Sequence, residues 1–256
     1  MPLPTLSLEG KVAIVTGGRR GIGQAIALLF AEAGADVTVA DVVDDNELAS
    51  VVKEIQAQGR HSITVRADTT KKIDVDNMVQ RTIKELGSVD ILINAAGIST
   101  RITPMEISEE EWDRVMDINL KGCLLCAQAA GRRMIEQGRG GSIINLSSVA
   151  GIKPITIRAG YASSKIGLIM LTKQLAIELA PHNIRVNAVA PGSVITEMTR
   201  DMWDDPEAKT QIEAMVPLGR WGEASEIANA ALFLASDAGS YITGITLPID
   251  GALSVT

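Results

Sequence analysis

A doubly wound α/β sheet in a single domain, residues 1–256, is the fold expected of this chain, on three observations. Short apolar runs alternate with longer amphipathic ones along its whole length. The short runs are apolar at successive positions, as suits parallel strands covered by helices on both faces. A glycine-rich turn joins the first short run to the first long one, where a strand feeds a helix N-terminus in such sheets. No linker, repeat or low-complexity segment divides the chain, and 46% hydrophobic with 21% charged content is ordinary for one globular core.

Residues 12–15 read as the first strand and 22–33 as the helix after it. Between them lies Thr16-Gly17-Gly18-Arg19-Arg20-Gly21-Ile22-Gly23. Glycines permit a tight turn and close backbone approach, while the helix N-terminus offers free N–H groups and a positive dipole to a pyrophosphate. The second strand, 36–40, is followed by Asp41, whose carboxylate would accept from adenosine ribose hydroxyls and repel a 2'-phosphate, which favours NAD over NADP. Arg20, beside the turn, pulls the other way, because a guanidinium pairs with phosphate. Further strands fall at 62–65, 90–93, 142–146 and 184–189, separated by helical stretches. The irregular stretch of about 192–222 carries Met198, Met202, Trp203, Met215 and Trp221, and reads as a substrate-covering flap or a variable surface excursion.

A net charge of -7, from 31 acidic and 24 basic residues with no basic block, argues against nucleic acid as a partner. No apolar run approaches the ~18 residues that span a bilayer, and residues 1–8 lack a cationic segment ahead of an apolar one. The expectation is a cytoplasmic, unanchored protein. Cys123 and Cys126 form a C-x-x-C inside an apparent helix rather than at its start, which suits buried small hydrophobes better than redox thiols. His61 and His182 have no ligand-type neighbours at metal spacing, so no metal is expected.

Tyr161 and Lys165 stand four residues apart in Gly160-Tyr161-Ala162-Ser163-Ser164-Lys165, with Ser148 thirteen residues before the tyrosine at a strand end. On a helix that spacing puts phenol and ammonium on one face, where the cation favours a phenolate able to act as acid or base.

With these residues in view, the chain resembles the short-chain dehydrogenase/reductase family over nearly its whole length. Gly17, Gly21, Ile22 and Gly23, with Arg19 and Arg20 between them, match the family's cofactor turn. Asp68 and Thr69 match its adenine-side residues, and Asn94, Ala95 and Gly97 its fourth-strand motif. Asn119, Ser148, Tyr161 and Lys165 fall where the family keeps its catalytic tetrad; Pro191 and Gly192, with Val194 and Thr196, match its nicotinamide-side segment. Ala95 stands where a second Asn is usual, and Asp250-Gly251-Ala252 lacks the common final glycine.

The resemblance implies a Rossmann-fold, NAD(P)-dependent oxidoreductase that moves a hydride between the nicotinamide and a secondary alcohol or ketone. Tyr161 would be the acid/base, and Lys165 would tune it and hold the ribose. Ser148 would bind the substrate oxygen, and Asn119 would support a proton-relaying water. It further implies a homotetramer built on the helices containing Cys123 and Tyr161 and on the C-terminal segment. Sugar-acid dehydrogenases and 3-oxoacyl-carrier-protein reductases are resembled about equally, and Asp41 tips the expectation toward NAD-linked oxidation of a polyol, sugar acid or similar alcohol. Lys153 and Arg158 lie in the substrate-binding stretch and would either meet a carboxylate or phosphate or remain solvated. A non-catalytic cofactor sensor is the reading from another class.

Overall fold

The structure, a computed structural model, describes residues 6–256. Among these residues seven strands form one parallel sheet: β1 (Val12–Thr16), β2 (Asp36–Asp41), β3 (Ser62–Arg66), β4 (Ile91–Asn94), β5 (Gly141–Leu146), β6 (Ile184–Pro191) and β7 (Thr246–Ile249). Their spatial order is β3-β2-β1-β4-β5-β6-β7. The first six helices are α1 (Gly21–Glu32), α2 (Asn46–Ala57), α3 (Lys72–Leu86), α4 (Glu109–Met116), α5 (Gly122–Gln137) and α6 (Ala159–Leu179). They are followed by α7 (Arg200–Asp204), α8 (Pro206–Met215) and α9 (Ala224–Ala235).

Side chains alternate across each strand, so the continuous apolar runs serve two cores at once. Ala13, Val15, Val37, Val39, Ile91 and Ile93 pack against α1, α2 and α9 on one face. Ile14, Leu92, Ile143 and Val186 pack against α3, α5 and α6 on the other. The chain runs outward from β1 to β3, then returns to β4 and runs the opposite way. The crevice between the ends of β1 and β4 is therefore the topological switch point, where ligands bind in open α/β sheets.

The doubly wound parallel sheet is as expected, with two local differences. Residues 192–222 are not irregular: they contain a helical turn at Glu197–Thr199, then α7 and α8. Asp205 caps α8 by accepting from the N–H of Glu207 (2.9 Å) and of Ala208, with Pro206 in its first turn. Trp203 and Trp221 meet edge to face at 5.6 Å, and a parallel bridge between Val194 and Gly222 closes the ends of the segment. The seventh strand was missed because Pro248 interrupts its hydrogen-bonding pattern; as an edge strand paired only to β6, it tolerates the proline.

The missing glycine near the C-terminus also has a structural cost. Ala252 takes φ 72°, the left-handed region a glycine enters freely, and its N–H is held there by the Asp250 carboxylate at 3.0 Å. Ala252→Gly is expected to stabilise the fold by about 1 kcal/mol, the left-handed penalty less the added unfolded-state entropy. A urea-unfolding midpoint that rises at constant slope checks this; an unchanged or lower midpoint contradicts it.

Candidate active site

A cleft of about 670 Å³ opens at the switch point. Its floor is the glycine turn. Gly17 has φ 65°, and a Cβ there would lie 2.7 Å from the backbone of Ala96, so only glycine lets the turn meet the end of β4 this closely. Thr16 fastens the two strand ends, donating through Oγ1 to the Ile93 carbonyl (3.2 Å) and accepting from the N–H groups of Ala95 (3.2 Å) and Ala96 (3.3 Å). Ala95, in place of the usual Asn, keeps this backbone contact. Arg20 precedes α1 in extended conformation without a side-chain cap, which leaves the first N–H groups of α1 facing the cleft. A close-fitting glycine cradle at an uncapped helix N-terminus fits a dinucleotide pyrophosphate.

Toward the outer end of the cleft lie Asp41, Asp68 and Thr69. Burial pushes the Asp68 carboxyl up, but hydrogen bonds from the hydroxyl and N–H of Thr70 and from Lys71 outweigh it and hold it below its ordinary value. The arginine beside Asp41 is Arg19. Arg19 turns toward the carboxylates that begin α2: its Nη1 donates to Asp45 (2.9 Å) and Glu47 (2.6 Å), while its Nε stands 3.8 Å from Asp41. Arg20 lines the cleft and acts on the charge of Glu197 instead.

Across the cleft, α6 places Tyr161 and Lys165 on one face, with Lys165 Nζ 5.6 Å from the tyrosine ring centroid. Lys165 is 5% exposed and donates to the Leu146 carbonyl at 2.6 Å, which fixes the ammonium at the end of β5. Ser148 begins a helical turn at Val149–Gly151, where its Oγ accepts from the Ala150 N–H (3.1 Å) and keeps its own proton free to donate. A Cβ on Gly151 would sit 2.8 Å from the Lys165 backbone, so this turn lies directly on α6. Pro191, the last residue of β6, and Gly192, Val194 and Thr196 beyond it line the same cleft.

Two expected site residues stand behind the wall rather than in it. Asn119 is fully buried in a π-helical turn, Asp117–Lys121. Its Oδ1 accepts from the Ile98 N–H (2.9 Å), and its Nδ2 donates to the Ile98 carbonyl (2.9 Å) and Ser164 Oγ (3.1 Å). Asn94 donates to Asn145 Oδ1 (2.9 Å), and Asn145 in turn donates to Thr172 on α6 (2.9 Å). Asn145 and Thr172 escaped notice in the sequence; the available signal was a lone amide in the apolar run 142–146. Ser147, also missed, donates to the Lys165 carbonyl at 3.1 Å.

Of the two cations in the substrate stretch, Lys153 donates to the carbonyls of Leu253 (2.8 Å) and Thr256 (3.1 Å) at the end of the chain. Arg158 instead leans over Tyr161, its Cζ 5.8 Å from the ring centroid. Cys123 and Cys126 are free and buried; burial pushes the Cys123 thiol up to about 11 and raises Cys126 further. Among the described residues there is no cluster of metal-ligating side chains, and no helix is long and apolar enough to cross a membrane.

A family model described as enoyl-(acyl carrier protein) reductase matches residues 17–254. The chain is 43% identical over 243 residues to a 3-oxoacyl-(acyl-carrier-protein) reductase of Staphylococcus epidermidis, covering 95% of this chain and 98% of that one. It is 39% identical to the 2-dehydro-3-deoxy-D-gluconate 5-dehydrogenase of Escherichia coli, covering 98% of each. A crystal structure of a short-chain type dehydrogenase/reductase from Mycobacterium marinum superposes with a TM-score of 0.93 at 40% identity over 98% of both chains. The chain belongs to the short-chain dehydrogenase/reductase family. As a member it is an oxidoreductase acting on CH–OH groups with a nicotinamide cofactor. Solved relatives hold either form of that cofactor. A gluconate 5-dehydrogenase from Burkholderia cenocepacia, 34% identical over 98% of each chain with a TM-score of 0.93, is in complex with NADP and tartrate. A carveol dehydrogenase from Mycobacterium avium, 32% identical over 98% of this chain and 100% of that one with a TM-score of 0.94, is in complex with NAD.

Gly17→Ala is expected to weaken binding of the nicotinamide cofactor by at least about tenfold, because the new Cβ meets the Ala95–Ala96 backbone and the φ is left-handed. Fluorescence titration with NAD, with circular dichroism as the folding control, checks this; unchanged affinity in a folded variant contradicts it.

Proposed function

We propose that the protein is an NAD-linked dehydrogenase that oxidises the secondary alcohol of a sugar acid, polyol or similar compound. The observation that carries the choice of NAD is the pairing of Arg19 with Asp45 and Glu47 beside Asp41. The guanidinium is already compensated by carboxylates. A 2'-phosphate would have to displace them and would face Asp41 as well.

The glycine turn and the start of α1 would bind the pyrophosphate, Asp41 the adenosine ribose hydroxyls, and Asp68 and Thr69 the adenine side. Lys165 would hold the nicotinamide ribose, with Pro191, Gly192, Val194 and Thr196 against the ring. When bound, the nicotinamide supplies the hydride acceptor. Ser148 donates its hydroxyl proton to the substrate oxygen and so orients the carbinol toward Tyr161. Tyr161 takes the carbinol proton, and the Lys165 charge on the same face of α6 stabilises negative charge on the phenol oxygen. Asn119, bonded to both backbone groups of Ile98, keeps the β4 loop and α6 in place around Lys165. The water-relay role expected of it would then fall to its backbone, since its side-chain amide is already engaged.

Reduction of a 3-oxoacyl-carrier-protein thioester is the second reading, favoured by the Staphylococcus epidermidis relative at 43% identity. The rival from another class, a cofactor sensor without turnover, has no need of Ser148, Tyr161 and Lys165 around one cleft. Ile166, Met170 and Ile177 expose apolar side chains along α6, which supports assembly into a homotetramer through that helix; a cytoplasmic location completes the reading.

Tyr161→Phe is expected to cut kcat by about a hundredfold or more, the scale of general acid/base catalysis, with NAD affinity retained. Near-normal turnover in that variant contradicts the role. Comparing kcat/KM for NAD and NADP should show NAD preferred, and Asp45→Asn with Glu47→Gln should shift the ratio toward NADP by freeing Arg19. A clear NADP preference in the unaltered protein contradicts the assignment.

A further inference from the structure

We propose that Arg158 binds a carboxylate of the substrate, so that the alcohol oxidised is a hydroxy acid rather than a neutral polyol. The inference rests on the dehydrogenase reading and narrows its substrate class.

A second cavity, lined by Ser99, Arg101, Arg158, Arg200, Asp201 and Asp204, adjoins the cofactor cleft and shares Glu197 and Met198 with it. Two of its three arginines are committed. Arg101 makes a bidentate pair with Asp201 at 2.6 and 3.0 Å, and Arg200 grips Glu197 at 2.5 and 3.0 Å. Lys153, the other candidate cation of this stretch, is spent on the chain end. Among the described residues no carboxylate lies within 4.0 Å of the Arg158 guanidinium. One of its Nη atoms donates to Ser99 Oγ, which leaves the other N–H groups of the planar fork for an incoming anion.

Burial, and after it the neighbouring Arg101 charge, lower the Arg158 guanidinium from its ordinary value. Asp201, already paired with Arg101, and Tyr161 act on Arg158 only through space, so the partly desolvated cation has no carboxylate in contact until an anion joins it. The backbone around it is fixed. Ile157 is held at φ 54°, a conformation costly for a β-branched residue, and Arg158 bridges to Ile102. Such strain sustained beside a reacting group points to a position that must be kept. The α6 N-terminus that follows has no acidic residue in its first turn and no side-chain cap, which adds positive potential at the same spot. With Cζ 5.8 Å from the Tyr161 ring centroid, a carboxylate a few bonds from the carbinol reaches Arg158 while the hydroxyl meets Tyr161 and Ser148.

The test compares lactate, tartrate and gluconate with propane-1,2-diol, threitol and glucitol, their neutral counterparts, following nicotinamide absorbance with saturating NAD. The unaltered enzyme should favour the acid in at least one pair. Arg158→Gln should lower kcat/KM for that acid by about tenfold to a hundredfold, chiefly through KM, and leave the neutral counterpart within about twofold; Arg158→Lys should fall between. Turnover of neutral alcohols with no preference for any acid overturns this inference alone. Equal losses on acid and neutral partner overturn it too, because Arg158 would then act through Tyr161. Absence of turnover on every compound overturns the dehydrogenase reading with it.

Discussion

The Asn94–Asn145–Thr172 chain of buried amide and hydroxyl groups ties the cofactor half of the sheet to the helix that carries Tyr161 and Lys165. It crosses from β4 to β5 to α6 in an interior otherwise filled mainly by Val, Ile, Leu, Ala and Met. Buried amides left without partners are costly, so the pairing holds only in one register, and slipping a strand by one residue would send each amide to the wrong face. Thr16 extends the same logic to β1 by holding the ends of β1 and β4 against each other. Everything in the cleft is measured from this fixed crossing. The glycine turn is set against Ala96, and Ser147 and Gly151 against the backbone of α6.

On that frame the two ends of the cleft are distinguished by what their arginines have to pair with. At the outer end Arg19 is surrounded by Asp41, Asp45 and Glu47, so the region is acidic on balance and suits uncharged ribose hydroxyls. At the inner end Arg158 lies half-buried over Tyr161 with only a hydroxyl partner. The same side chain thus stands in opposite surroundings in one molecule. A guanidinium saturated by carboxylates resists an anion, whereas one bonded only to a hydroxyl keeps N–H groups to offer. Neither effect needs a change of fold, only of which acids lie within reach.

Much of this was legible in the sequence. The strand and helix alternation, the glycine turn, Asp41 and the Tyr161, Lys165 and Ser148 set all depend on local spacing, which a one-dimensional reading preserves. The rest depends on where chains meet. Nothing in the order Arg19-Arg20 says which guanidinium turns toward α2, because that is decided by Asp45 and Glu47 more than twenty residues on. Asn94 resembled a cofactor contact by motif, yet its amide points into the sheet because Asn145 stands opposite it in register. The helices α7 and α8 were hidden by their shortness, although Asp205-Pro206 is a capping signal in plain view. Lys153 and Arg158 looked equivalent until the chain end claimed the first and left the second.

Direct hydride transfer at this cleft is tested most sharply by isotopic labelling. A secondary alcohol substrate deuterated at its carbinol carbon is oxidised with NAD, and the NADH formed is analysed by mass spectrometry. Each NADH should carry the substrate's deuterium, with none lost to water, since Tyr161 and Ser148 handle only the hydroxyl proton. NADH lacking the label, or label appearing in solvent, would contradict a lysine-supported phenol working beside a bound nicotinamide.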